Sequence, residues 1–290
     1  MKQLSHVGAL MAKSVCLLLL AAYLLEIGFW RSVVTAMLVV AFTTTILGRR
    51  GWRHCIQTYK RFFGPGDWRP YARHTVVLIV LHAALVQMQE LRMLPHLGLI
   101  NLGPALQSLE GEWHRALPQP QPLWSAWMWM SVYVFGFPAL LLGTVIALHG
   151  RQHPELLLRF LRACYFLAWI ALPVFALVGV PEVWIQLPDY LPPAVTVGEK
   201  LAFYRFLSGP FNCLPSLHCT LSLLTLLVSW HSSIPVLRWL APSLAVLVCI
   251  STVVCGVHWA LDVIISLPLT WLAWTFAADR GPLHIREVNV

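Results

Sequence analysis

The chain has 290 residues, 58% of them hydrophobic and only 11% charged, with a mean hydropathy of +0.70. Soluble domains carry about 25% charged and 45–50% apolar residues, so an ordinary soluble enzyme, a disordered or collagen-like chain and a nucleic-acid-binding domain are all disfavoured. The net charge of +8 does not bring nucleic acid back as a partner, because the positive residues fall in short blocks between apolar runs, the pattern that orients a membrane protein. At about 20 residues per span, the composition predicts an all-α, polytopic transmembrane bundle of about eight spans in a lipid bilayer.

The first candidate span is 7–25, interrupted by Lys13. Lys2 and Lys13 ahead of the apolar Ser14–Leu25 resemble a signal peptide, but no small-residue cleavage site follows and a second span, 32–48, begins almost at once, which predicts a retained helix. A basic loop comes next, then a third span at 75–94 whose far end carries Glu90 and Arg92. The uncharged stretches 123–148 and 163–181 supply the fourth and fifth spans. Between the third and fourth, residues 95–122 read as a long loop with Glu110, Glu112, Trp113 and Pro118–Pro122. A second long loop, 182–213, holds Trp184, Asp189, Tyr190, Lys200 and Arg205. The sixth span starts near Leu214 inside uncharged 206–237, the seventh lies in 239–261, and the eighth opens near His258 and reaches Ala278. Most of the 14 tryptophans read as interfacial anchors.

With the N-terminus inside, the inner segments hold 15 Lys and Arg and the outer ones only 5 (Arg31, Arg92, Arg115, Lys200 and Arg205). That bias predicts both termini on the cytoplasmic side. The seven cysteines (Cys16, Cys55, Cys164, Cys213, Cys219, Cys249 and Cys255) are odd in number and form no CxxC pair. They read as small buried hydrophobes, neither a disulfide framework nor a metal centre.

Ionisable groups inside a span are costly and point to function. A lone histidine such as His82 or His149 is more simply structural; two others have company. His218 closes the run Pro215-Ser216-Leu217-His218 at the outer start of the sixth span. There proline suits a first helical turn, and Ser216 with free backbone N–H groups forms a natural anion site. His258 stands four residues before Asp262, so on a helix the two share a face. A carboxylate on one imidazole nitrogen fixes the tautomer and makes the other a better nucleophile or base. The sixth span runs inward and the seventh returns, so both histidines are expected at one membrane face.

These residues resemble the type-2 phosphatidic acid phosphatase (lipid phosphate phosphatase) superfamily. Its PSxH-like motif reads Pro215-Ser216-Leu217-His218, and its Ser-Arg-x5-His-x3-Asp motif reads Ser251-Thr252-x5-His258-x3-Asp262. Thr252 in place of arginine looks like the branch of inositol phosphorylceramide synthase, the aureobasidin target. The superfamily's first motif, Lys-x6-Arg-Pro, is only approximated by Lys60 and Arg69-Pro70, which are separated by eight residues in the most basic, cytoplasmic loop. That loop reads as facing anionic lipid.

The resemblance implies a six-span lipid phosphatase-like core at 75–278, after two N-terminal spans and the basic loop (1–74) and before a tail (279–290). It also implies a lipid phosphate or phospholipid substrate and no cofactor or metal. His258 would attack phosphorus and form a phosphohistidine, Asp262 would brace its ring, and His218 would act as acid and then base. Ser216 and Ser251, with Lys200 and Arg205 as stand-ins for the missing arginine, are the candidate phosphate-binding residues. Three functions follow: a lipid phosphotransferase, a lipid phosphate phosphatase using water, or a non-enzymatic transporter or haem-binding bundle. The last predicts ionisable groups near mid-membrane, and His218 and His258 stand at an edge. A triad of His218, His258 and Asp262 on a metal is disfavoured by the anion-binding helix start between them.

Overall fold

An apolar chain in a bilayer must satisfy every backbone N–H and C=O within itself, and the computed structural model is accordingly mostly helical. It describes residues 100–117, 123–150, 153–187, 190 and 211–278. The expected spans at 7–25, 32–48 and 75–94, the basic loop, the tail 279–290, and Lys200 and Arg205 lie outside the described residues.

In chain order the described elements are strand β1 (Ile100–Asn101), α1 (Gly103–Ala116), α2 (Leu123–Ser131), a π-helical turn (Val132–Gly136) and α3 (Phe137–Gly150). There follow α4 (Pro154–Leu177), strand β2 (Val178–Gly179), α5 (Val183–Gln186), α6 (Leu217–His231), α7 (Pro235–Val254) and α8 (Ala260–Ala278). Trp124–His149, α4, α7 and α8 are each long and apolar enough to cross a membrane, and α6 is a shorter apolar helix of 15 residues. Five of the expected spans therefore fall among the described residues, and each contains an apolar helix.

Several boundaries differ from the uncharged stretches. Helix α4 starts at Pro154 rather than 163 because Arg159 is absorbed: its Nη2 donates to Trp274 O at 3.1 Å and its guanidinium lies 3.5 Å over the Trp274 ring. It ends at Leu177, where β2 pairs in parallel with β1, Ile100 opposite Val178. Helix α7 starts at Pro235, a first-turn proline, and takes in Arg238, whose Nε donates to Ser232 O. The run 95–122 is not a plain loop: 103–116 form α1, which buries Gly103, Leu106, Gly111 and His114 along one side.

The core lies among α3, α4, α6, α7 and α8, where Ala147, Ala163, Ala241, Ala245, Ala273 and Ala277 are buried. Small residues let membrane helices approach closely, and hydroxyls join them. Thr270 Oγ1 lies 2.6 Å from Ser266 O and 3.2 Å from Thr220 O, and Ser266 Oγ lies 2.7 Å from Asp262 O and 3.3 Å from Ser216 O. Both cross-links keep the same offset of 50 residues, so α6 and α8 run parallel. The large exposed side chains, among them Trp169, Trp230, Trp239, Ile264 and Trp271, point away from this core, as side chains solvated by lipid do.

Helix α7 stops at Val254, short of the end of the uncharged stretch 239–261, because Gly256 turns the chain with φ +66°. A Cβ there would meet the Tyr190 ring at 2.6 Å. The expected result for Gly256→Ala is a loss of at least about 1–2 kcal/mol for the left-handed conformation alone, before the clash is counted. An unchanged thermal midpoint in detergent would contradict this.

Candidate active site

Two turns at one end of the bundle build the site. The first precedes α6. Ser216 is its N-cap, with Oγ accepting from Cys219 N–H at 3.2 Å, while Pro215 sits just outside the helix rather than in its first turn. His218 follows in the first turn, half-buried, its ring 4.7 Å from that of Tyr133 and 4.5 Å from that of Phe137. Tyr133 belongs to the π-helical turn, an irregularity frequent at functional sites.

The second turn joins α7 to α8. Thr252 O accepts from the N–H groups of Val257 and His258 at 3.0 and 3.1 Å, and Gly256 O accepts from Trp184 N–H. His258 is thus on a turn, and its pairing with Asp262 does not come from a shared helix face as the spacing suggested. Asp262 is the third residue of α8, and its Oδ2 reaches back to accept from Trp259 N–H at 3.0 Å, as the acid of a capping box does. The same oxygen meets His258 Nδ1 at 3.3 Å. The spacing of four still brings the two together, through a capped helix start.

What this leaves on His258 is informative. Nδ1 is held by Asp262, while Nε2 is buried and has no hydrogen-bond partner among the described residues. Burial opposes charging the ring, but the hydrogen bond and charge of Asp262, with smaller help from Cys219 and Glu182, hold His258 above histidine's ordinary range. The His218 and His258 rings stand 6.0 Å apart between centroids, tilted by 54°. The structure therefore brings together His218, His258 and Asp262 from turns 40 residues apart in sequence.

The remaining candidates have structural occupations. Ser251 Oγ donates to Val248 O at 2.7 Å and is fully buried, as is the capping Ser216. Thr252, where the superfamily motif has arginine, donates Oγ1 to Cys249 O at 2.7 Å, so its side chain is spent on α7. The described Arg159 and Arg238 bind Trp274 and Ser232, at the opposite end of the bundle.

Three residues near the site were not singled out by sequence reasoning. Glu182 is buried and accepts from Trp184 Nε1–H. Glu110 Oε2 and Oε1 accept from the N–H groups of Ala260 and Leu261 at 2.8 and 2.9 Å. Cys213 donates its thiol proton to Val257 O at 3.2 Å, and burial, then the charges of Asp262 and Glu182, push that thiol well above its usual range. Cys213, rather than His218, is the third donor atom near His258 and Asp262, all within 4.8 Å. A metal there would have to take the proton of a thiol held protonated and displace Asp262 from His258 and Trp259. The donor chemistry fits an oriented imidazole better than a ligand set. The five described cysteines carry no disulfide.

Residues 107–276, more than half of the chain, match the family model described as the PAP2 superfamily. Comparison with curated proteins and with solved structures gives no match.

Proposed function

Because the chain belongs to the PAP2 superfamily, we propose that it is an integral membrane lipid phosphotransferase that moves a phosphoryl-containing head group to a hydroxyl acceptor. Membership together with apolar, membrane-length helices fits a membrane enzyme of the phosphatase type acting on a lipid in the bilayer. The observation that carries the chemistry is the His258 ring, braced through Nδ1 and unpartnered at buried Nε2, 6.0 Å from the His218 ring.

In the first step His258 Nε2 attacks phosphorus, the bond to the leaving oxygen breaks, and His218 gives that oxygen its proton. In the second, His218 takes the proton of the incoming hydroxyl, whose oxygen displaces phosphorus from His258. Asp262 supports the positive charge that develops on the ring. The capped start of α6 at Ser216, with Lys200 or Arg205, is our candidate holder of the phosphoryl oxygens, whereas Ser251, on α7, already gives its hydroxyl proton to Val248 O.

Thr252 in place of arginine, with its hydroxyl already bonded to Cys249 O, removes a fixed positive charge from the motif. A phosphodiester carries one negative charge instead of two and loses less by that change, which favours an inositol phosphorylceramide synthase-like transfer. In the orientation set by the Lys and Arg distribution the termini are cytoplasmic and the site faces outward, in a six-span core at 75–278 that follows two N-terminal spans.

Incubation of purified protein with radiolabelled total lipid separates the readings. A new labelled lipid is expected. Free phosphate as the only product would replace the transferase with a lipid phosphate phosphatase, and equal product from His258→Ala would remove His258 from the chemistry.

A further inference from the structure

Helix α8 begins with a set of N–H groups that its own turn cannot satisfy, and each of them has been given a partner. Trp259 N–H goes to Asp262 Oδ2, and Asp262 N–H goes to Trp259 O at 3.1 Å. The two between them, on Ala260 and Leu261, are taken by the two carboxylate oxygens of Glu110, from α1, 150 residues away in sequence. A carboxylate is favoured there twice, by charge-assisted hydrogen bonds and by the positive end of the helix dipole.

We infer that Glu110 is a positioning residue for the His258–Asp262 pair, holding the first turn of α8 from α1 so that Asp262 keeps the His258 ring aimed. This rests on the reaction proposed above. The contact is two-pronged, and it ends one residue before Asp262 and two after His258. Movement of Ala260 and Leu261 would swing both side chains.

The surroundings are arranged around the same clamp. His114, one turn after Glu110, is fully buried, with Nε2 3.4 Å from Glu110 Oε2 but outside hydrogen-bond geometry. Its ring meets those of Trp259 at 5.2 Å and Tyr190 at 5.6 Å, both edge-on. Burial outweighs the pull of Glu110 and keeps His114 below histidine's ordinary range. Trp259 Nε1–H donates to Pro181 O at 2.8 Å, and Leu102 N–H donates to Gly179 O at 2.9 Å. These bonds fasten the turn and the start of α1 to the chain that follows α4. On α8 Glu110 touches only backbone, so side chains at 260 and 261 do not signal it.

The test uses the full chain in detergent or vesicles, with Glu110→Ala, Glu110→Gln and His258→Ala compared for kcat, KM and thermal midpoint on the labelled lipid. Misplacement of a reacting group by about 1 Å costs on the order of 100-fold. Glu110→Ala is expected to lower kcat by about 10- to 100-fold with KM nearly unchanged, and Glu110→Gln, which keeps one acceptor oxygen, to recover part of the loss. If Glu110→Ala does not fold, the Gln variant carries the comparison. A kcat equal to wild type in a folded Glu110 variant, or a loss seen only in KM, overturns the positioning role while inactive His258→Ala leaves the reaction standing. Full activity in His258→Ala instead overturns the reaction, and the positioning role with it.

Discussion

Replacing His258 with alanine is expected to abolish transfer and to remove all acid-labile phosphate from the trapped protein, whereas Asp262→Asn is expected to leave a slow enzyme. The difference follows from what each group does. Loss of a covalent nucleophile removes the pathway, and the rate falls by about 10⁶-fold. Loss of the bracing carboxylate leaves Nε2 in place but frees the ring and its tautomer, a cost of about 10⁴-fold in comparable constellations. Asparagine can still accept from Trp259 N–H, so the turn is retained.

The pH dependence supplies an independent readout of the same pair. Attack needs Nε2 unprotonated, and Asp262 holds the His258 ring above the ordinary range. The rising limb of kcat/KM should therefore sit above histidine's usual value in the wild type. In Asp262→Asn the opposing effect of burial is left behind, and the limb should move to lower pH. A limb that stays in place while the rate falls would show that Asp262 is not what raises His258.

The second large effect is expected at His218. Its substitution by alanine should cost about 10²- to 10⁴-fold, the range for a general acid–base group. The loss should shrink for substrates with better leaving groups, since an aryl oxide departs without a proton. A nitrophenyl phosphodiester would then be processed by His218→Ala at a rate closer to wild type than a natural lipid is. The same proportional loss on both substrates would assign His218 to binding. With Tyr133 and Phe137 against its ring, alanine also leaves a gap, so His218→Gln is the companion variant.

Much of the helical pattern could be read from sequence because lipid allows little else: a long uncharged run must be a helix. The ends of those helices were less legible. Charge alone put the start of the fifth span at 163, since nothing local shows that Arg159 will be stacked on Trp274 from the last span. The stretch 239–261 has no charge to mark the break at Gly256, whose left-handed φ is a property of the turn. For the site, the spacing of His258 and Asp262 carried the contact even though the helix assumed for it is absent, because four residues also separate the two across a capped helix start. Glu110 could not be found this way. It sits in a short helix that reads as loop, and its partners are two backbone amides far along the chain.

The constant offset between α6 and α8 also sets the relative heights of the two turns that carry the histidines. Ser216 is level with Ser266, and α8 starts six residues earlier, at Ala260. At about 1.5 Å of rise per residue, the floor that carries His218 is set roughly 9 Å below the rim formed by its neighbour. In the reaction proposed above, a lipid phosphate held by Ser216 and His218 would therefore sit on that floor, beneath the turn that carries His258, and not at the rim itself. An acceptor would have to pass that rim to reach it.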